Sequence, residues 1–268
     1  MPTVSGMLRK MNTDHNTKSG LVTYTLNLDG SAVLPLNPLV GSELHLEFAG
    51  RIHCLFCHES ISKTFNGGYC YPCSKKLAEC DICIVKPERC HFHLGTCRDP
   101  AWGEKHCFQR HTLYLARSSS IKIGVTRSVQ QIHRWMDQGA VEAREIGFFQ
   151  NRYEVGQAEA SIAKTMQDKT NWRKMLKNEV TDEAFEPYIQ KIKGILSEAQ
   201  CHSLLSNGKS YSFNYPILAF PQKVNSKKFD KFPSYTSKLM GIKGQYLIFE
   251  SHVVNLRSQG GYVIKLSY

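Results

Sequence analysis

The sequence predicts an α+β protein: a small mixed domain at the centre, a cysteine-rich insert before it, and short antiparallel sheets on both flanks. Three observations predict this class. Residues 111–150 carry three strand-like apolar runs with one helical segment between the second and third. Nine of the ten cysteines lie between Cys54 and Cys107. Both ends of the chain show the two-residue periodicity of half-buried strands. The expected divisions are residues 1–50 (N-terminal β segment), 51–110 (cysteine-rich module), 111–205 (central domain) and 206–268 (C-terminal β segment).

In the first segment, Leu21 to Leu28 alternates apolar and polar positions and runs into Asp29-Gly30, a hairpin turn signal, and Leu44 to Phe48 repeats the alternation. Such a sheet could belong to an oligonucleotide-binding barrel, although five strands are not visible.

The composition changes at Arg51. Cys54, Cys57, Cys70 and Cys73 read C-x-x-C, twelve residues, C-x-x-C, with Gly67-Gly68 turning the chain between the two knuckles. Two such turns supply four thiolates in a tetrahedron, the closed arrangement of a structural zinc ribbon. Cys80 and Cys83 form a third knuckle. Its partners are expected to be Cys90 and Cys97, with His93 and Cys107 as alternatives, and the two sites could interleave. Four-thiolate zinc leaves no position open for water, so these ions are expected to be structural; a second site that kept an open position would instead be a zinc hydrolase. The basic and aromatic residues interleaved here, among them Lys63, Phe65, Tyr71, Arg98 and Trp102, either grip a nucleic-acid backbone or pack a small core.

In the central domain, Thr112 to Ala116 and Ile121 to Val125 are two strands joined at Ser118 to Ser120. Ser128 caps a helix reaching Gln138, and Gly139 stops it. A third strand near Ile146 to Gln150 and a second helix, Val155 to Asp168, follow. At about 100° per residue, Val155, Ala158, Ile162, Ala163 and Met166 surround the direction of Glu159, so one carboxylate points to the middle of an apolar face. A charge placed there needs a partner: a metal ion, hydrogen-bond donors or an arginine, of which Arg134 and Arg144 are the candidates for a structural ion pair. Thr170 and Asn171 are N-cap types that open a further helix, and Lys169, Arg173 and Lys174 are either a solvated basic face or phosphate contacts. Helical spacing returns from Phe185 to Ala199, and Cys201 reads as a small buried hydrophobe. The last segment shows strands at Tyr211 to Phe220, Gln245 to Glu250, His252 to Leu256 and Tyr262 to Leu266, with lysines 223 to 243 in a loop region. It could pack with the N-terminal sheet into one body.

The chain has 268 residues, of which 41% are hydrophobic, and 34 Lys and Arg against 23 Asp and Glu give a formal charge of +11. That balance favours a polyanionic partner, DNA or RNA first. There is no leader-like apolar stretch after the N-terminal charges and no run long enough to span a bilayer, so a cytoplasmic protein with reduced thiols and no membrane partner is expected.

The order of elements and motifs resembles the GIY-YIG endonuclease domain. Tyr114 stands at the tyrosine of the first triplet, and Lys122-Ile123-Gly124 stands at the second in a KIG form. Thr112-Leu113 replaces the Gly-Ile of the first triplet, and Lys122 replaces the second tyrosine. The whole chain is also similar to a bacterial family of uncharacterised proteins that joins a cysteine-rich segment to this domain, with the phrases CDIC, GTCR, RW-DQGA and DKTNW as they stand here. The resemblance implies phosphodiester hydrolysis with one divalent ion, usually Mg²⁺, held by Glu159. It implies Arg134 as the charge-neutralising arginine, Tyr114 as the group that positions or activates water, Lys122 as a second cation and Asn171 as a hydrogen-bonding support. Two other functions fit the same residues: nucleic-acid binding without cleavage, and a zinc-stabilised interaction protein with no nucleic-acid role.

Overall fold

The computed structural model describes residues 1–166 and 170–268. The chain opens with strands β1 (Thr3–Met7), β2 (Asn12–His15), β3 (Val22–Leu28), β4 (Ser31–Pro35) and β5 (Glu43–Ile52). Helices α1 (Tyr71–Lys76) and α2 (Pro100–His106) lie in the cysteine-rich stretch. The central unit runs β6 (His111–Arg117), β7 (Ile121–Arg127), α3 (Gln131–Asp137), β8 (Glu142–Phe149), α4 (Arg152–Ala163), α5 (Trp172–Leu176), α6 (Glu186–Ile195) and α7 (Glu198–Cys201). Strands β9 (Ser210–Ser212), β10 (Ser234–Lys243), β11 (Tyr246–Phe249), β12 (Val253–Asn255) and β13 (Tyr262–Ser267) complete it. The architecture is α+β.

Among the described residues three antiparallel sheets form. A six-stranded sheet has the order β1-β13-β5-β10-β11-β12, a three-stranded sheet the order β2-β3-β4, and the central sheet the order β7-β6-β8-β9. The strands at the two ends of the chain therefore interleave: β13 lies between β1 and β5, with Val4 opposite Leu266 and Leu266 opposite Leu46. Asp29-Gly30 makes the β3–β4 turn expected of it, with both residues at positive φ (52° and 87°).

The central sheet is covered on both faces. Leu113, Leu115, Ile121 and Ile123 pack against Val155, Ala158 and Ile162 of α4 and Ile192 of α6. Tyr114 and Ala116 face the other way, into a core shared with Trp135 and Met136 of α3 and with Leu26, Leu46, Leu247 and Ile264 of the flanking sheets. Residues on either side of β6 are thus buried alike, which explains why its apolar run is nearly unbroken.

Two expectations differ from the structure. Tyr211 to Phe220 is a strand only at β9: beyond it the amides of Phe213, Asn214 and Leu218 donate to Val141, Gly20 and Met240, three separate segments, and Pro216 has no donor, so no continuous ladder forms. The lysine-bearing region expected as loop contains β10. Its first half pairs with β5 (Ser234 opposite Glu47, Lys238 opposite Glu43), and after an irregularity between Leu239 and Gly241 its second half pairs with β11. Serine, threonine and lysine on its solvent face hide the alternation that backbone pairing imposes. No helix among the described residues is long and apolar enough to cross a membrane.

Candidate active-site cleft and metal centre

Among the described residues, β7 is the edge of the central sheet, with no further strand beside it. Its residues Lys122 to Arg127 form one wall of an open cleft of about 410 Å³. Four of the residues singled out from the sequence, Tyr114, Lys122, Arg134 and Glu159, line this same cleft.

Each arrives there for a local reason. Tyr114 sits on β6 opposite Gly124 of β7, and its ring lies over that glycine: a Cβ at position 124 would stand 2.6 Å from both Cζ and Oη of the tyrosine. The glycine of the KIG triplet is thus the floor on which the phenol rests. Trp135 meets the ring edge-on at 5.5 Å between centroids, and the Tyr114 hydroxyl donates to Gln138 Oε1 at 3.2 Å. Burial raises the pKa of this phenol and the Glu159 charge adds to the rise, while the Arg134 guanidinium opposes both. Tyr114 is therefore protonated at neutral pH, with its one proton given to Gln138 and its oxygen lone pairs left as acceptors.

Lys122 is buried on the same face of β7 as Gly124. Glu159 is half-buried on α4, at the rim where the apolar face of Val155, Ala158 and Ile162 meets the cleft. Asn151 starts α4 by accepting from the Glu154 amide at 2.9 Å. Gly156 lets the helix approach the 3₁₀ turn Pro87–Arg89 so closely that a Cβ would fall 2.3 Å from Pro87 C and Glu88 N. Of the two arginines expected as ion-pair partners, Arg144 pairs instead with Glu186 at 2.6 Å, whereas Arg134 shares the cleft with Glu159.

Sequence reasoning missed four further residues of this wall: His111, Arg127, Arg152 and Arg257. Arg152 had a signal, since it stands seven residues before Glu159 and so lies two turns away on the same side of α4. With it, Lys122, Arg127, Arg134, Arg152 and Arg257 surround the one carboxylate of the lining, Glu159. Burial and the neighbouring Arg152 charge lower the pKa of Arg127, so cations are packed against one another here. His111 is buried, its Nδ1 is 2.7 Å from the Gln109 carbonyl oxygen, and its Nε2 has no hydrogen-bond partner among the described residues. Burial pushes its pKa down to about 4.

Asn171 is not in the cleft. Its side chain is taken up as the N-cap of α5, accepting from the Lys174 amide at 3.2 Å, and with Lys174 it lines a separate hollow beside Ser119 and Thr181. Arg173 stacks on Trp172 at 4.3 Å and is exposed. Lys169 lies outside the described residues.

The cysteine-rich module has one compact ligand group among the described residues: the sulfurs of Cys54, Cys57, Cys70 and Cys73 all lie within 4.8 Å of one another. The Cys70 amide donates to Cys54 Sγ at 3.2 Å, and the Cys73 amide to Cys70 Sγ at 3.4 Å, the donor pattern of a knuckle turn. Burial raises the Cys54 thiol, but the amides of Cys57, Cys70 and Phe56 outweigh it and bring it down to about 6. Four soft donors at this separation can hold a metal such as zinc.

The other cysteines divide differently from the expected set. Cys83 and Cys90 are buried together with Cys107, packed against Ile84, Phe92 and Trp102. Cys80 is not in this cluster, and Asn66 Nδ2 donates to its carbonyl oxygen at 3.2 Å. Cys97 Sγ is 3.3 Å from the Asp99 carbonyl, next to the N-cap of α2. The 3₁₀ turns Ala78–Cys80 and Ile82–Ile84 separate the two halves of the third knuckle, with Asp81 between them capping the second, so Cys80 and Cys83 do not converge as the first two pairs do.

Residues 41–264 match the family described as protein of unknown function DUF2797, and the chain belongs to that family. No curated protein and no solved structure matches it.

Proposed function

We propose that this protein is a metal-dependent phosphodiesterase of the GIY-YIG type acting on DNA or RNA, with a zinc-braced module beside its catalytic domain. The observation that carries the reading is the cleft at the β7 edge, where five cationic side chains surround a single carboxylate and a buried phenol that rests on the triplet glycine. A lining of that charge suits a phosphate backbone.

The donor set fits a hard divalent ion. One carboxylate oxygen, with water and substrate phosphate completing the shell, is how Mg²⁺ is usually held. When bound, the ion supplies charge neutralisation on the phosphate and leaving oxygen. Glu159 holds it. Arg134 and Lys122 offset the negative charge that grows on the phosphate oxygens, and the Tyr114 hydroxyl, whose proton goes to Gln138, orients the attacking water by accepting a hydrogen bond from it. The four thiolates of Cys54, Cys57, Cys70 and Cys73 fit structural zinc and leave no position for substrate.

The test is incubation of the full chain with single- and double-stranded DNA and RNA in Mg²⁺ or Mn²⁺. Cleavage by the wild type, abolished by Glu159→Gln with the thermal midpoint unchanged, supports the reading; absence of cleavage of every substrate sinks it. Binding without cleavage is the second reading. It is favoured by Asn171, which caps α5 outside the cleft and so leaves the resemblance's supporting side chain missing. Its mark is salt-sensitive binding that Glu159→Gln leaves intact and Arg134→Ala weakens.

A further inference from the structure

We propose a second metal site, built by Cys83, Cys90, Cys107 and His111, that takes a soft divalent ion such as zinc and ties the cysteine-rich module to the first strand of the central sheet. It stands independently of the nuclease reading.

The three cysteines come from the 3₁₀ turn Ile82–Ile84, from the end of the turn Pro87–Arg89 and from the C-cap of α2, yet they meet in one buried cluster. All three are buried, and they pack with one another against Ile84, Phe92 and Trp102. Four residues after Cys107, His111 opens β6. Its Nδ1 is 2.7 Å from the Gln109 carbonyl, which fixes the proton there and leaves the Nε2 lone pair buried with no donor facing it. A metal-binding imidazole is held by the same device, the distal N–H donating to a carbonyl.

Arg152 supplies the second argument. Its guanidinium reaches the carbonyls of Cys83 and His106, each at 3.4 Å, and its own amide donates to the Cys107 carbonyl at 2.9 Å. A half-buried cation set against cysteines alone would lose hydration with little return. Against zinc held by three thiolates and an imidazole, which carries a net negative charge, its position is favourable. Among the described residues only Cys54, Cys57, Cys70 and Cys73 already lie within 4.8 Å of one another, so this second group closes on its ion by side-chain rotation. The outcome is a covalent tie, through the metal, between the module and the strand that carries Tyr114 three residues further on.

The experiment is metal counting on the full chain, purified in reductant and loaded with zinc, followed by cobalt substitution. The wild type is expected to hold two ions per chain. Cys107→Ser should hold one, whereas Cys80→Ser and Cys97→Ser should keep two. His111→Cys, which replaces imidazole with a fourth thiolate, should also keep two, and this guards against a variant that merely fails to fold. In the cobalt-loaded wild type one strongly shifted imidazole N–H proton resonance should appear, and it should vanish in His111→Cys. A single ion in the wild type overturns the proposal. So does loss of the second ion in Cys80→Ser or Cys97→Ser as complete as in Cys107→Ser, or a shifted imidazole resonance that survives His111→Cys.

Discussion

Replacing Gly124 with alanine tests whether the phenol of Tyr114 is held by space alone. The backbone at this position does not have positive φ, so an alanine is tolerated locally and would by itself stabilise a strand by a fraction of about 1 kcal/mol. The new Cβ, however, would stand 2.6 Å from Tyr114 Cζ and Oη, where ordinary contact begins at 3.4 Å. Most of an ångström must be recovered by a fully buried ring that Trp135 and Gln138 also hold. Overpacking of this kind costs about 1–3 kcal/mol, which in a chain of this size lowers Tm by roughly 2–4 °C for each kcal/mol. Urea denaturation of Gly124→Ala, Tyr114→Leu and the double variant measures it. Leucine removes the atoms that clash, so the double variant should be more stable than the sum of the single losses, by at least about 1 kcal/mol. A loss under about 0.5 kcal/mol in Gly124→Ala, or strict additivity, refutes the idea that the glycine exists to seat the ring. Under the proposed function, cleavage should fall in Gly124→Ala even at temperatures where the variant is fully folded.

The remaining predictions concern other parts of the molecule. Gly156→Ala drives a Cβ to within 2.3 Å of the backbone at Pro87 and Glu88, which cannot rotate aside, so a loss of about 2 kcal/mol or more and faster proteolysis between residues 80 and 107 are expected. Gly194→Ala in α6 meets nothing within 4 Å and should instead stabilise by about 0.5–1 kcal/mol; the same sign for both would show that the approach of α4 is not what constrains position 156. Asn171→Ala should cost about 1 kcal/mol through the cap of α5, read by urea unfolding, and cleavage lost beyond that effect would return Asn171 to the chemistry. His252 is buried between Phe249 and Tyr235, and burial, with Lys227 nearby, pushes its pKa down to about 4. The unfolded chain then takes up the proton first as pH falls, so the contribution of the neutral ring is whole above about pH 6.5 and is lost as pH drops to about 4, by up to about 3 kcal/mol. His252→Phe should reduce the slope of stability across that window, leaving the part that buried His111 contributes in the same way, and an unchanged pH dependence would remove His252 as a source.

What the sequence revealed and what it concealed follow from how local each signal is. The β6–β7 hairpin, the stop at Gly139 and the first cysteine group depend on residues close in the chain, and each stands where spacing placed it. Glu159 was legible because one carboxylate interrupts a helical apolar face. The rest of the cleft was not: Arg127, Arg152 and Arg257 come from a strand, a helix and a C-terminal turn, and no periodicity links them. The same limit explains Cys107, which joins Cys83 and Cys90 across two intervening turns and a helix, while the nearer Cys80 and Cys97 are not in that cluster. Asn171 illustrates a residue with two sufficient uses, of which helix capping claims the side chain.

The interleaving of β13 between β1 and β5 has a consequence for how the molecule is made. During vectorial synthesis the first fifty residues emerge with their hydrogen-bonding edges exposed and must wait for the last strand before the sheet can zip. Pairings that span nearly the full chain make closure slow, and waiting edges invite mispairing with other nascent chains. The first cysteine group and the central hairpin, whose contacts are short in sequence, can form on the ribosome during that interval, so the early-folding middle becomes the template onto which both ends are later assembled.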